Sequence, residues 1–394
     1  MATTVESEIL AVLRTVVGPA KEPVPLHAPE FAQGERALVM DCLDSSFVSS
    51  VGKYVDQFEA MLAEFTGARR AVAVVNGTAA LEVALSVSGV GVGDEVIVPA
   101  LSFVATANAV AHCGAMPHFV DSDADTLGID PLALEDYLGS IGEASSGTLR
   151  NRVSGRRIAA VVPMHTFGHP ADMVKLMEVA GRFHLPVVED AAESLGSYIA
   201  DRHTGTFGLM GVLSFNGNKI VTTGGGGAIL TNDHTVADRL KHLTTTAKRP
   251  HRWEFFHDEV AWNFRMPNLN AALGCAQLER LPDFLTRKRV LAARYATATA
   301  SCSGFSFMPE PAGTRSNYWL NTISLNASDR SARDRVLAAT NDAGYQCRPV
   351  WSLLSGLPMY ADSPRGELLV AQRLENSLIN LPSSPKLARG GVAS

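Results

Sequence analysis

Between residues 70 and 230 short β-rich runs alternate with helix-compatible stretches, and no other feature limits the chain as strongly. A strand that returns parallel to its neighbour needs a long crossover, usually a helix. The pattern therefore predicts a mainly parallel sheet covered by helices on both faces. The strands expected are Ala71–Val75, Glu95–Pro99, Met116–Val120, Ile158–Met164, Pro186–Glu189 and Gly211–Phe215. Ala79–Val87, Ala105–His112, Pro131–Ile141 and Ala171–Phe183 have apolar residues at three- and four-residue spacings and fill the helical places. Asp130 before Pro131 sets a capping residue ahead of a proline in the first helical turn.

Gly224 to Gly227 read as a tight turn into a further strand, Ala228–Thr231, with a hairpin-like return from the strand before it. There the parallel pattern stops. A helix-compatible run from Asn268 to Ala300, expected to break or kink near Pro282, leads into a smaller region of mixed character. It holds a strand at Tyr318–Leu325 and helices at Ser331–Ala343 and Leu368–Asn376. Glu143–Gly155, rich in Ser, Gly and charge, reads as a surface loop. The 394 residues suit two domains. An N-terminal arm with a large α/β domain over 1–262 and a smaller α+β C-terminal domain over 263–394 is expected.

With 40 acidic residues against 34 Lys and Arg, the net charge is −6 and no long basic run appears, which argues against nucleic acid as a partner. Five scattered cysteines form no Cys-x-x-Cys pair, so neither a zinc knuckle nor a redox dithiol is indicated, and the sparse set suits a reducing cytoplasm. No apolar run approaches the roughly 18 residues of a membrane helix, and no export signal is read. His165 and His169 have the i, i+4 spacing of a helical metal pair. They straddle Gly168 at a strand end with no Glu after His165, so no metal site is expected. His184 and Trp253 read as packing or surface residues.

Three short pieces carry chemistry. In Ala71–Leu85 an apolar strand turns through Gly77 into a helix near Thr78, and free backbone N–H groups at such a helix start can hold a phosphate. An ordinary βα turn capped by Thr is the plainer alternative. In Leu185–Ser194 a buried strand ends in two adjacent carboxylates, and ligands gather at the carboxyl ends of parallel strands. Asp190 there can cap a helix, hold a metal or pair with a protonated ring nitrogen. Lys219 stands alone in an apolar, glycine-rich stretch. If partly buried, its amine becomes a usable nucleophile or base. The four glycines have the wrong spacing for a dinucleotide fingerprint and lead into a strand, which removes that reading. An anion cradle, a carboxylate for a ring nitrogen and a reactive lysine together describe a site for pyridoxal 5′-phosphate.

Along nearly its whole length the chain resembles the fold type I, pyridoxal-phosphate-dependent sugar-nucleotide aminotransferases of the DegT/StrS group. The resemblance is carried by Val51–Val55, Asn76–Ala80, Pro99–Thr106, Glu189–Ser194, Ser214–Lys219 and Trp262–Ala272. Ser214–Gly227 and Ile379–Ser384 look most like the legionaminic-acid and bacillosamine branch, whose members act on UDP-linked 4-keto-6-deoxy-N-acetylhexosamines.

The resemblance implies that Lys219 holds the cofactor covalently and then shuttles the substrate proton, while Asp190 keeps the ring nitrogen protonated. Gly77, Thr78 and Ser214 would bind the phosphate, Phe103 would stack on the ring, and Glu193 would sit near its 3′-oxygen. Asn263 would reach the phosphate from a neighbouring subunit, making a homodimer part of the site. Arg265 would contact an anionic substrate. Apart from the resemblance, Tyr318 beside Trp319 is a candidate for lining a sugar or nucleotide pocket, with filling of a core as the plainer alternative for aromatic residues in a strand. The reaction implied carries an amino group from L-glutamate to C4 of a nucleotide-linked keto sugar, giving a 4-amino-4,6-dideoxy sugar for a surface glycan, flagellin or a secondary metabolite. A dehydratase of the same fold would need another residue in place of Lys219, typically His. A catalytically silent relative acting as a regulator is the other alternative.

Overall fold

The computed structural model describes residues 4–145 and 147–390. Its centre is a sheet of seven strands in two hydrogen-bonded blocks. In the first, Arg70–Val74 pairs antiparallel with Gly227–Thr231, which pairs antiparallel with Met210–Ser214, which runs parallel to Val188–Asp190. In the second, Arg157–Val161, Glu95–Pro99 and Met116–Val120 are parallel neighbours. Parallel bridges from Val161 to Val187 and from Met164 to Asp190 join the blocks. Gly227–Thr231 alone among the seven runs against the others, and its pairing with Met210–Ser214 is the hairpin-like return expected from the glycine turn.

Helices Gly77–Val87, Val104–His112, Pro131–Ile141 and Met173–Arg182 follow the sequence expectation closely. Asp130 accepts from the N–H groups of Leu132 and Ala133 and so caps the helix that Pro131 opens. Glu143–Gly155 is not a plain loop. Gly142–Ser145 and Thr148–Asn151 form a hairpin whose second strand pairs antiparallel with Arg157–Val161. Its polar composition belongs to a strand pair with an exposed face, which alternation over so short a run did not reveal.

Asn268–Thr299 is one helix of 32 residues that runs through Pro282 without a break in assignment, against the expected interruption. Apolar contacts anchor it at both ends. Ala271, Cys275, Leu278 and Leu281 pack in the main core, while Leu291 and Tyr295 pack in a second. Tertiary packing of this extent offsets the roughly 3 kcal/mol that an interior proline costs.

The second core lies under an antiparallel sheet of Phe305–Phe307, Asn321–Leu325, Leu378–Leu381 and Arg348–Pro349. It does not follow the division at 262/263, because Ile9, Leu13 and Val16 of helix Val5–Val17 are buried in it. Among the described residues no helix is long and apolar enough to cross a membrane.

Candidate active site

The parallel strands end on one edge of the sheet, and the segments leaving those ends surround a cavity of about 260 Å³. Asn76 to Thr78, Phe103, Met164, Asp190, Glu193, Ser214 and Lys219 line it, with Trp319 and Trp351 closing it.

Asn76 caps the helix by accepting from the N–H of Ala79 at 2.8 Å. The N–H groups of Gly77 and Thr78 open the same helix, so they have no intrahelical acceptor and are available to an anion. Gly77 also has a steric reason. A Cβ there would stand 3.1 Å from the Cβ of Ser214, which brings the Ser214 side chain against the helix start.

Asp190 is buried at 2 % exposure. Thr106 Oγ1 donates to its Oδ2 at 2.7 Å, and the N–H of Ala192 donates to its Oδ1 at 3.2 Å. Burial pushes its carboxyl up, with these hydrogen bonds, Lys219 and His165 opposing. Its chain neighbour Glu189 is spent on the fold. It accepts from the N–H groups of Gly205, Phe207 and Gly208 and lies 3.0 Å from His165 Nε2. Because His165 Nδ1 accepts from the N–H of Ala171, the ring proton lies on Nε2 and is donated to Glu189. That is how the structure uses His165. His169 is buried against Tyr318 with neither nitrogen partnered, and burial lowers its pKa to about 4.

Lys219 Nζ lies 3.1 Å from Glu193 Oε1 and 4.0 Å above the centre of the Trp319 ring, with the side chain 11 % exposed. Glu193 is held from the other side by the N–H of Phe167 at 2.9 Å. Phe167 has a left-handed backbone at φ +57°, which aims this N–H at the carboxylate, and Gly168 follows at φ +94°. A Cβ on Gly168 would fall 1.9 Å from Asn317 Oδ1, so only glycine permits this turn. Burial raises the Glu193 carboxyl, and Lys219 opposes the rise.

Seven of the residues expected from the sequence therefore meet at one cavity: Gly77, Thr78, Phe103, Asp190, Glu193, Ser214 and Lys219. Three do not. Tyr318 is buried beside the cavity, where its hydroxyl accepts from the N–H of Glu310, and its neighbour Trp319 faces Lys219 instead. Arg265 lies outside the lining on a segment bridged to Val74 at the sheet edge, and Asn263 is exposed on that segment. The sequence reading missed Trp351, which packs on Phe167 and Phe103 at ring separations of 5.1 and 6.1 Å. It comes from an irregular stretch with no periodicity to mark it. Lys288 also escaped notice: fully buried, it donates to the carbonyls of Trp319 and Ser383 and so fixes the wall behind Lys219.

The residues present fit pyridoxal phosphate, with a crowded glycine and free N–H groups for the phosphate, a buried carboxylate for the ring nitrogen, and a shielded lysine in the same cavity. Residues 29–394 match the DegT/DnrJ/EryC1/StrS aminotransferase family; the chain belongs to that family and is a pyridoxal-phosphate-dependent aminotransferase. It is 35% identical over 370 residues to GDP-perosamine synthase of Caulobacter vibrioides, covering 94% of this chain and 95% of that one. The aminotransferase TlmJ of Streptoalloteichus hindustanus superposes with a TM-score of 0.81 at 31% identity, over 91% of this chain and 93% of that one. DesI, solved in the presence of its TDP-sugar product, superposes with a TM-score of 0.81 at 27% identity, over 94% and 91%.

Proposed function

We propose that this aminotransferase moves an amino group from L-glutamate to C4 of a nucleotide-linked 4-keto-6-deoxy sugar in the cytoplasm. The product is a 4-amino-4,6-dideoxy sugar nucleotide. The observation that carries the reading is the meeting of Lys219, Asp190 and Glu193 in the cavity that Gly77 and Thr78 open onto. Pyridoxal phosphate supplies the electron sink through which an amino group changes carriers.

The residues divide the remaining work. Lys219 attaches the cofactor and, when released by substrate, carries a proton at the reacting carbon. Glu193 holds its amine in place beforehand. Asp190 keeps a proton on the ring nitrogen. Gly77, Thr78 and Ser214 bind the phosphate, Phe103 covers the ring, and Trp319 and Trp351 shield the amine from water. Asn263 serves the phosphate of a second copy of the chain. This is supported by its own exposure and by the exposed Trp253, Phe255, Phe256 and Val260 on the stretch leading to it, apolar surface that a homodimer would cover. Arg265 on the same segment is assigned to the anionic substrate.

The relative named GDP-perosamine synthase favours guanosine diphosphate as the sugar's carrier over the uridine diphosphate and N-acetylhexosamine suggested by the shorter motifs. Lys219 speaks against a dehydratase and, with Asp190, against a silent relative. The test is to supply the cofactor-loaded protein with L-glutamate and GDP-, UDP- and TDP-linked 4-keto-6-deoxy sugars, then follow 2-oxoglutarate and the aminated sugar by mass. Amination of one of them with stoichiometric 2-oxoglutarate is expected. No aminated product from any would end the proposal.

A further inference from the structure

Behind the cavity wall two hydroxyls lie in line with Asp190. Thr106 Oγ1 is 2.7 Å from Asp190 Oδ2, and Ser102 Oγ is 2.7 Å from Thr106 Oγ1 and 3.0 Å from Met164 Sδ. Both residues are fully buried, and neither lines the cavity. They stand four residues apart around the start of helix Val104–His112, with Phe103 between them.

Counting hydrogens gives this chain a direction. Each hydroxyl has one hydrogen to give, and an ionised carboxylate offers only acceptors. With Asp190 ionised, Thr106 donates to Asp190, and the single hydrogen of Ser102 is left to be shared between Thr106 Oγ1 and Met164 Sδ. The reverse order needs a protonated Asp190 donating to Thr106, Thr106 donating to Ser102, and Ser102 donating to the sulfur of Met164. A thioether is a weak acceptor, whereas Thr106 Oγ1 donating to a charged Asp190 Oδ2 at 2.7 Å is a charge-assisted bond, so the arrangement favours the ionised carboxylate. This opposes burial, which pushes the Asp190 carboxyl up.

The other charged or titratable groups facing Asp190 are Lys219, His165 and Glu193. Lys219 is shared with Glu193, and the ring proton of His165 is committed to Glu189. Against them, the two hydroxyls supply a donor aimed at the carboxylate itself.

We propose that Thr106, backed by Ser102, is a positioning residue for Asp190, directing hydroxyl hydrogens at the carboxylate so that it stays ionised and holds a proton on the cofactor's ring nitrogen. The inference rests on the reading of Asp190 given above. Losing one such charge-assisted bond lowers kcat by about ten-fold or more.

The direct test is the nitrogen-15 resonance of ring-labelled pyridoxal phosphate bound to the full-length protein. In the wild type it should report a protonated ring nitrogen. Thr106→Val should move it toward the unprotonated position, Thr106→Ser should restore it, and Ser102→Ala should give a smaller displacement of the same sign. A wild-type resonance in Thr106→Val, with a displaced one in Asp190→Asn, overturns the role of Thr106. An unchanged resonance in Asp190→Asn overturns the reading of Asp190 beneath it. If Thr106→Val does not fold, Ser102→Ala carries the test, and an unchanged resonance there overturns the proposal.

Discussion

The cavity around Lys219 and the segment from Trp262 to Met266 carry the two halves of the expected site, and the fold treats them differently. Around Lys219 every expected group sits on a strand end or the turn leaving it, so the parallel sheet fixes their mutual distances. Asp190, Glu193 and Lys219 are nearly or wholly shielded, and their polar atoms are matched within the chain. Asn263 lies outside that cavity, exposed, on a stretch bridged to Thr245 at the end of the helix His234–Thr244 and to Val74 at the sheet edge. The first half is complete in one chain. The second has function only if another chain brings a cavity to it.

The sharpest way to break this contrast is Lys219→Ala. Amino transfer should vanish, together with the visible absorbance of lysine-bound cofactor, while the fold persists; turnover at the wild-type rate would remove the lysine from the chemistry. Asp190→Asn comes next. Uncompensating a buried ionic partner costs about 3–5 kcal/mol, so kcat/KM should fall by roughly two to four powers of ten. A value within about two-fold of wild type would show that the carboxylate is structural.

A smaller effect separates the two halves. Asn263→Ala alone should cost about ten-fold, the worth of one phosphate contact. Mixing it with Lys219→Ala should restore activity, because one of the two sites in a mixed dimer is then intact. Verified mixed dimers without restored turnover would place Asn263 outside the shared site.

The smallest effect concerns the framework beneath both halves. Glu35 accepts from Arg280, Gln277 and the N–H of Ala32, pinning the helix Gln33–Asp44 to Asn268–Thr299. Burial alone would raise its carboxyl, but the Arg280 hydrogen bond and the backbone donors outweigh this and hold it below the ordinary 4.5. Its folded pKa thus lies under its unfolded one. The stabilisation is full above the unfolded value and is lost as pH falls through the folded one. Glu35→Gln should lower stability by about 2 kcal/mol at neutral pH, and the deficit should shrink on acidification through that window. A deficit independent of pH would mean that packing, not charge, is at work.

What the sequence disclosed follows from the same contrast. Parallel strands are buried on both faces, so Glu95–Pro99 and Met116–Val120 stand out as apolar runs whose boundaries agree with the structure. Residues at their ends then locate the cavity. The remaining features depend on packing between distant segments. Tyr318 and Trp319 are adjacent, and nothing local says which faces Lys219. Trp351 lies on a stretch of no regular period, and Lys288 in a run of three basic residues gives no sign that it is the one wholly buried. The hydroxyl of Thr106 acquires meaning only through Asp190, 84 positions away.

The central claim is that Lys219, in the cavity at the strand ends, is where the cofactor is bound. Reduction of the cofactor-loaded protein with borohydride, followed by proteolysis and mass spectrometry, tests it directly. The account predicts one modified peptide, carrying the pyridoxyl phosphate mass on Lys219. The same mass on another lysine, or on none, would contradict it.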